Sequence, residues 1–498
     1  MNEWANSGID LHLDLRLDLA GGTGARAGLE RALREAVRVG RLAPGTRLPS
    51  SRVLAKDLGL ARNTVAEAYG QLVAEGWLTA RQGSGTHVAD GRRPSGPPAR
   101  PGRVQATVPR RTDRDTRGGR LAETAGILPD PERFTYDLRP GSPDLSSFPR
   151  AAWGAAARRA LAAAPHEAFG YTDPRGRPEL REALAAYLGR VRGVRTRPEL
   201  LMVCSGFVQA AGLLGRVLRA GGARSVAVEA LGYPHTVEIL RTARLAPVLL
   251  PVDDDGAQVD ALDHGVDAAL LTPAHQFPSG SPLSPERRTA TVAWARATGG
   301  VVVEDDYDGE FRYDRQPVGA LQGLAPEHVV YAGTASKSLA PGLRLAWLAL
   351  PPALVEPVLD EKRLADHHSP VLDQLTLAEL IASGAYDRHV RRMRLHYRRR
   401  RDRLVSALAE RAPAVRVSGI AAGLHAVLRL PPGTPAAEVV AAARARGLGL
   451  QSLDDFGGRD TEELVVGYGT PPEHAFAGAL DALCALLATQ SRGAGAAQ

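Results

Sequence analysis

The sequence predicts an α/β protein: a long body built on a largely parallel sheet wrapped by helices, preceded by a small domain of three helices and a β-hairpin. Three observations carry that expectation. Short apolar runs alternate with helical patterns from about residue 200 to 350, the way a parallel sheet buried on both faces reads. A compact pattern of about 70 residues stands ahead of them. Residues 90–120 between the two carry five Pro, five Gly and almost no large apolar side chain, so they bury no core and read as a linker. The expected division is 1–89, 90–120 and 121–498.

At 498 residues the chain is too long for one small core. Hydrophobic residues at 44% and charged residues at 23% exclude a mostly disordered or fibrous protein. No apolar run reaches eighteen residues and the amino terminus alternates Leu with Asp, His and Arg, so neither a membrane span nor a secretory signal is expected. Cys204 and Cys484 are too few for a disulfide framework or a four-thiolate metal site, and a reducing cytoplasm is the expected compartment. The net charge of +7 is uneven. Residues 21–89 hold ten bases and five acids, and residues 90–120 nine Arg and three Asp, while residues 121–498 are close to neutral. A charge run alone reads as a solvated tail; over a folded head it reads as a polyanion-binding surface.

In the head, Leu29, Leu33, Ala36 and Val37 fall at helical spacing, and Gly40 with Pro44-Gly45 ends that helix. Ser50 or Ser51 caps a second helix, Arg52 to Leu58, stopped by Gly59. A third runs from about Arg62 to Glu75 and stops at Gly76. WLTARQGSGTHVA then gives two strands around a Gly-rich turn, completing a winged helix-turn-helix outline. Arg47, Ser50, Ser51 and Arg52 stand at the entry to the second helix, and Arg62, Asn63 and Thr64 at the start of the third. The amino end of a recognition helix faces base edges and phosphates. Arg81 and Gln82 with Gly83, Ser84 and Gly85 form a wing tip small enough to enter a groove. Each residue alone is an ordinary surface residue; together they point to double-stranded DNA.

The string GRLAPGTRLPSSRVLAKDLGLARNTVAEAYGQLVAEGWL, followed by GSGTHV, resembles the GntR superfamily of bacterial regulators. The resemblance implies DNA contact by Arg62, Asn63, Thr64 and the wing from Gln82 to Ser84. Ala61 departs from the Ser or Thr usual there and cannot cap the helix.

In the body, strands are expected at 201–204, 225–230, 248–252, 268–272, 301–306, 329–333 and 345–350, and a smaller closing subdomain from about 360. Lysine occurs only at Lys56, Lys337 and Lys362. Lys337 lies in TASKSLAPGLR between small hydroxyl residues, with Arg344 seven positions on. A cofactor aldehyde needs one lysine amine for a Schiff base, and its phosphate needs hydroxyls and a guanidinium. Lys362 lies in LDEKRLAD, a charged helical stretch, and is expected to be solvated. VVVEDDY ends in carboxylates 32 residues before Lys337, where an Asp can hold a pyridine nitrogen protonated and Tyr307 can reach the ring's phenolic oxygen. CSGFVQA reads as strand, turn and helix, so Gly206, Phe207 and Val208 can offer backbone N–H groups to a phosphate. Tyr233 in LGYPH can stack on a ring.

DLRPGSPDLSSFPRAAW, GYTDPRGRPELREALAAYL, CSGFVQA, TPAHQFPSG, VVVEDDYDGEFRY and TASKSLAPGLR occur in the order seen in the fold-type I aminotransferase-like domains of MocR regulators. The chain resembles that family over nearly its whole length, with the PdxR-like branch as the nearest expectation. The resemblance implies pyridoxal 5'-phosphate on Lys337, Asp305 at the pyridine nitrogen, Tyr307 at the phenolic oxygen, Tyr233 stacked, and Thr334, Ser336 and Arg344 at the phosphate. It also implies a homodimer. Phe277 replaces the Asn of aminotransferases, and Phe207 and Val208 replace polar residues of the phosphate loop. Val465, in EELVVGYG, stands where those enzymes place the Arg that binds a substrate carboxylate; His425 or another arginine is the alternative anchor. Three functions are open at this point: a regulator sensing pyridoxal phosphate or its adduct with an amino compound, a working aminotransferase with a DNA-binding head, and a DNA-binding protein with a vestigial pocket. The first is expected, serving vitamin B6 or amino-compound metabolism.

Overall fold

The computed structural model describes residues 25–38, 40–81, 85–89, 134–262, 265–313 and 319–494. The expected linker at 90–120 lies outside the described residues, as do Gln82, Gly83 and Ser84.

In the amino-terminal part, α1 (Ala25–Arg38), α2 (Ser51–Leu58) and α3 (Arg62–Ala74) pack with the hairpin β1 (Leu78–Arg81) and β2 (Gly85–Val88). Leu29 and Leu33 from α1, Leu54 and Leu58 from α2, Val65 and Leu72 from α3, and Leu78 and Val88 from the hairpin form one core drawn wholly from this part. Ser50 caps α2 by accepting the Val53 N–H at 3.3 Å, and Gly59 closes it at φ 67°. α3 starts from Ala61, which is extended and makes no side-chain cap; a Ser there would add roughly 1 kcal/mol.

The body continues with β3 (Tyr136–Asp137), α4 (Arg150–Ala163), α5 (Pro178–Arg192), β4 (Leu201–Cys204), α6 (Phe207–Ala220), β5 (Ser225–Glu229), α7 (Pro234–Thr242) and β6 (Ala246–Leu250). The short pair β7 (Val252–Asp253) and β8 (Gly256–Ala257) precedes β9 (Ala268–Leu271), α8 (Pro285–Thr298), β10 (Val301–Asp306), β11 (Val329–Thr334), β12 (Ala346–Ala349), α9 (Pro352–Ala365) and α10 (Val371–Ala382). Seven strands form one sheet in the order β4-β12-β11-β10-β9-β5-β6. They are the seven apolar runs of the sequence. Both faces need apolar side chains because helices cover both: α6 and α9 bury Leu213, Leu214, Val358 and Leu359 against one core, and α8 buries Val292 and Trp294 in another. Only β12 runs antiparallel. The other six strands therefore end at one edge, where open α/β sheets gather ligands.

The chain closes with α11 (Ala385–Arg411), β13 (Arg416–Ser418), β14 (His425–Arg429), α12 (Ala436–Ala445), β15 (Leu448–Gly449), β16 (Gln451–Ser452), β17 (Glu463–Gly467) and α13 (Glu473–Ala494). A four-stranded sheet runs β13-β14-β17-β16, and β15 pairs with β3. The smaller layer does not start near residue 360. Val355 and Leu359 of α9 belong to the core of the large sheet, and Leu377 and Leu380 of α10 to the core shared with α5. α11 crosses between layers, with Val390 in the larger and Leu404 and Leu408 in the smaller. Helical periodicity marks an apolar face without saying which layer receives it, and that is why the boundary shifts.

The end of α3 rests on α8. Arg288, fully buried, donates from Nε to the Glu75 carbonyl at 3.4 Å and from Nη2 to the Gly319 carbonyl at 2.6 Å. A Cβ on Gly76, at φ 81°, would stand 3.4 Å from Thr289 Oγ1 and 3.5 Å from Leu324 Cδ1. Among the described residues no helix is long and apolar enough to cross a membrane.

Candidate functional site

Two groups of residues carry the chemistry. On the head, Arg47, Ser50, Arg52, Arg62 and Asn63 are exposed, and Ser51 and Thr64 half-buried, at the entries to α2 and α3. The arginines of α1 are occupied: Arg26 pairs with Glu30 and Glu67, and Arg34 with Glu75. Arg47, Arg52 and Arg62 make no ion pair among the described residues, which leaves their charge for phosphate oxygens. Arg47 is bridged to His87, and its guanidinium lies by Gly85, where a Cβ would stand 3.4 Å from Nε. Arg81 faces Gly85 at the end of the hairpin, beside the wing tip.

The second group gathers at the strand ends of the large sheet. β11 ends in Thr334, whose Oγ1 lies 2.8 Å from Ser336 Oγ and accepts the Ser336 N–H at 3.1 Å. This tight turn carries Lys337, whose Nζ donates to the Gly141 carbonyl. Burial lowers the Lys337 pKa, and the charges of Asp308 and Asp305 work against that shift. A lowered pKa favours the neutral, nucleophilic amine. Gly141 is also next to Tyr233, since a Cβ there would lie 3.5 Å from the phenol oxygen. The rings of Tyr233 and Tyr307 both flank Phe277, at 5.5 and 5.9 Å.

Asp305 and Asp306 show how the pleat divides labour. Successive side chains point to opposite faces. Asp306 turns toward α5, where Arg192 meets it at 2.6 and 3.0 Å and the Tyr331 hydroxyl at 2.7 Å. Asp305 turns the other way, and its carboxylate accepts no hydrogen bond among the described residues. Burial, followed by the charge of Asp306, pushes its pKa up to about 8, with Lys337 partly offsetting them. A half-buried carboxylate in this state calls for a cationic or N–H partner.

β4 leads to Gly206, which enters α6 at φ 93°. A Cβ there would overlap the Arg344 guanidinium, and Arg344 Nη2 donates to the Ser205 carbonyl at 2.7 Å. The first N–H groups of α6, those of Phe207 and Val208, have no partner within the helix. Backbone donors, an arginine and the Thr334–Ser336 hydroxyls are the donor types that hold a dianion. An aldehyde for Lys337, a ring nitrogen for Asp305 and a phosphate for these donors are the three features of pyridoxal 5'-phosphate whose chemistry these residue types fit.

Sequence reasoning missed His275 and Asp308. The HQFP string was informative only for its Phe, yet His275 Nδ1 stands 2.8 Å from Asp308 Oδ2 and 3.1 Å from the Tyr307 hydroxyl. The expected solvation of Lys362 is wrong. Its side chain is fully buried, with Nζ at 2.8 and 3.0 Å from the Asp366 carboxylate and 3.1 Å from Ser369 Oγ. The pattern LDEKRLAD contains one partner, Asp366, at its end, but the other, Ser369, lies in the turn beyond it, and the burial of the ammonium does not show in the string. Val465 packs with Phe277 and Phe456 in an apolar cluster that Tyr233 and Tyr307 border. His425 is a poor anchor for an anion: burial, then the neighbouring His275, pushes its pKa down to about 3, and its Nε2 is 3.1 Å from the Pro278 carbonyl.

Residues 140–445 match the family Aminotransferase class I and II, and residues 26–88 match Bacterial regulatory proteins, gntR family. The chain is 33% identical over 447 residues to the HTH-type pyridoxine biosynthesis transcriptional regulator PdxR of Corynebacterium glutamicum, covering 89% of this chain and 92% of that protein. It is 33% identical over 473 residues, 94% of each, to the probable rhizopine catabolism regulatory protein MocR of Rhizobium meliloti. Among solved structures it is similar to LysN, an alpha-aminoadipate aminotransferase of Thermus thermophilus complexed with N-(5'-phosphopyridoxyl)-L-leucine, with a TM-score of 0.65 and 25% identity over 75% of this chain and 98% of that one.

Proposed function

The chain belongs to the helix-turn-helix transcriptional regulators that join a gntR-type DNA-binding domain to an aminotransferase class I and II domain, and from that premise we propose that it binds pyridoxal 5'-phosphate at Lys337 and changes its hold on operator DNA in response. One observation carries the proposal. The sheet edge beside Lys337 holds a half-buried carboxylate, Asp305, that accepts no hydrogen bond among the described residues, and the Arg344 guanidinium against Gly206, on a chain whose helix-turn-helix cations make no ion pair among those residues.

When bound, the cofactor supplies an aldehyde to which an amine adds. The protein's part is to orient and hold. Lys337 presents an amine depressed by burial, Asp305 offers its carboxylate to the ring nitrogen, Tyr307 offers its hydroxyl to the ring oxygen, and Tyr233 stacks. Gly206, Phe207, Val208, Thr334, Ser336 and Arg344 take the phosphate. On the head, Arg62, Asn63 and Thr64 read the groove with Arg81, Gln82, Gly83 and Ser84, while Arg47, Ser50, Ser51 and Arg52 hold the backbone.

The apolar wall of Val465, Phe277 and Phe456 offers no guanidinium to a carboxylate. This supports the cofactor itself as effector over an amino acid, and regulation of vitamin B6 supply over transamination. The reading includes action in the cytoplasm as a homodimer, with residues 1–89 tethered by 90–120 to 121–498. Exposed Phe169 and Tyr171, 54% and 90% accessible, support a second copy over that face.

The test separates the two halves. Arg62→Ala with Asn63→Ala abolishes specific DNA shifts and leaves the visible absorbance of the cofactor-loaded protein unchanged. Lys337→Ala removes that absorbance. A double variant that still shifts operator DNA, or a Lys337→Ala protein with an intact band, contradicts the assignment.

A further inference from the structure

The hydroxyl of Tyr307 has a supporting pair that the reading above leaves unused. His275 and Asp308 are buried, with side chains 3% and 2% exposed. One ring nitrogen, Nδ1, faces both the Asp308 carboxylate at 2.8 Å and the Tyr307 oxygen at 3.1 Å. The backbone encloses the couple. A Cβ on Gly423, at φ 69°, would overlap both the imidazole and the carboxylate, and one on Gly280 would stand 3.5 Å from His275 Nε2. Two glycine loops thus lie against the imidazole.

Hydrogen counting decides what the pair does. An ionised carboxylate only accepts, so the hydrogen between His275 and Asp308 sits on Nδ1. With Nδ1–H directed at Asp308 and the phenol oxygen beside the same N–H, the hydroxyl hydrogen of Tyr307 is left for another acceptor. Asp308 is near enough to Tyr307 to compete for that hydrogen. If His275 loses its N–H, the carboxylate becomes the hydroxyl's nearest strong acceptor. Phe277, edge-on to the Tyr307 ring at 5.9 Å, offers no hydrogen bond in exchange. The other titratable groups around the couple include Asp305 and Glu229 on the sheet side, Lys337, Glu310 and Tyr313 after β10, and His425 and Tyr468 from the smaller layer.

We propose that His275 and Asp308 are a positioning couple that keeps the Tyr307 hydroxyl a hydrogen-bond donor to the oxygen of a ligand seated beside Lys337. The inference rests on the pyridoxal phosphate reading, in which that oxygen belongs to the cofactor ring. His275 acts through Tyr307, and Asp308 acts through the imidazole while also adding its charge at Lys337.

The experiment is a spectrophotometric pH titration, from 5 to 10, of full-length protein loaded with pyridoxal 5'-phosphate. Losing a donor to the ring oxygen disfavours the form in which that oxygen bears unshared negative charge, so the chromophore keeps its proton to higher pH. His275→Phe, which keeps ring volume without the N–H, raises the apparent pKa by about one unit, tenfold in the proton equilibrium. His275→Asn, whose amide N–H occupies the Nδ1 position, restores the parent value. In a Tyr307→Phe background, His275→Phe adds no further shift, because the couple has nothing left to orient. Asp308→Asn, which no longer fixes the hydrogen on Nδ1 but also removes a charge that holds the proton at Lys337, is the second variant, read as the difference between its shifts with Tyr307 and in the Tyr307→Phe background: that difference is upward. A His275→Phe protein titrating like the parent overturns the proposal, as does an equal shift in the Asn and Phe variants, which would assign His275 to packing alone. If His275→Phe does not load, that Asp308→Asn difference decides, and its absence overturns the proposal. A parent that never develops a visible band overturns the cofactor reading and this inference together; a parent that loads while its variants titrate unchanged overturns this inference only.

Discussion

Asp305 and Asp306 are neighbours with opposite fates, one paired with Arg192 and one left without a hydrogen bond among the described residues. The difference has a pH signature. Asp305 ionises near 4 in an unfolded chain and at about 8 in the folded protein, so between those values the folded state holds a proton that the unfolded state has lost. Its contribution to stability is therefore complete below about pH 4 and fades as pH rises through about 8. Glu229 and Glu304, each pushed up to about 7 by burial, slope the same way. The melting temperature of cofactor-free protein falls from pH 5 to pH 8, and Asp305→Asn flattens that fall. Cofactor loading flattens it too, by giving the carboxylate a partner. An Asp305→Asn protein with the parent's slope would show that the carboxylate is not the strained group. At this scale Lys337 was legible because the body has only two lysines, and a Schiff base needs one near hydroxyls and an arginine. His275 and Asp308 were not, because their meaning lies in a contact between two loops more than 30 residues apart.

Elements were legible where one physical requirement dominates. The seven sheet strands must be apolar on both faces, and each apolar run became a strand to within a few residues. The head's helices were framed by Ser50, Gly59 and Gly76, which satisfy or end a helix for local reasons. Layer membership is a long-range property, and it failed at α9 and α10. Lys362 shows the same limit: its ammonium ties the end of α9 to Asp366 and Ser369, and Asp366 also accepts from Gln209 in the first turn of α6 at 2.6 Å. Removing one partner of a buried pair leaves an uncompensated charge. Lys362→Met is expected to lower unfolding free energy by about 3 kcal/mol in a denaturant titration. A variant as stable as its parent would mean that the pair contributes only geometry.

For the whole molecule, the question is how a ligand at the sheet edge reaches a head more than 200 residues away in sequence. The structure offers a short physical route. β10 carries Asp305, and the adjacent Glu304 accepts the N–H groups of Leu321 and Gln322 at 2.8 and 2.9 Å. Leu324, in the same turn, borders Gly76, while Arg288 ties the Gly319 carbonyl to that of Glu75 at the end of α3. A change on β10 thus meets the head through two contacts. The direct test of a cofactor-responsive regulator is the affinity of full-length protein for the DNA upstream of its own coding sequence, by fluorescence anisotropy, with and without pyridoxal 5'-phosphate. The account predicts that the cofactor shifts the parent's dissociation constant by roughly fivefold or more and leaves Lys337→Ala unmoved, while both proteins weaken steeply between 50 and 200 mM salt. An equal response in the two proteins, or none in the parent, would contradict it.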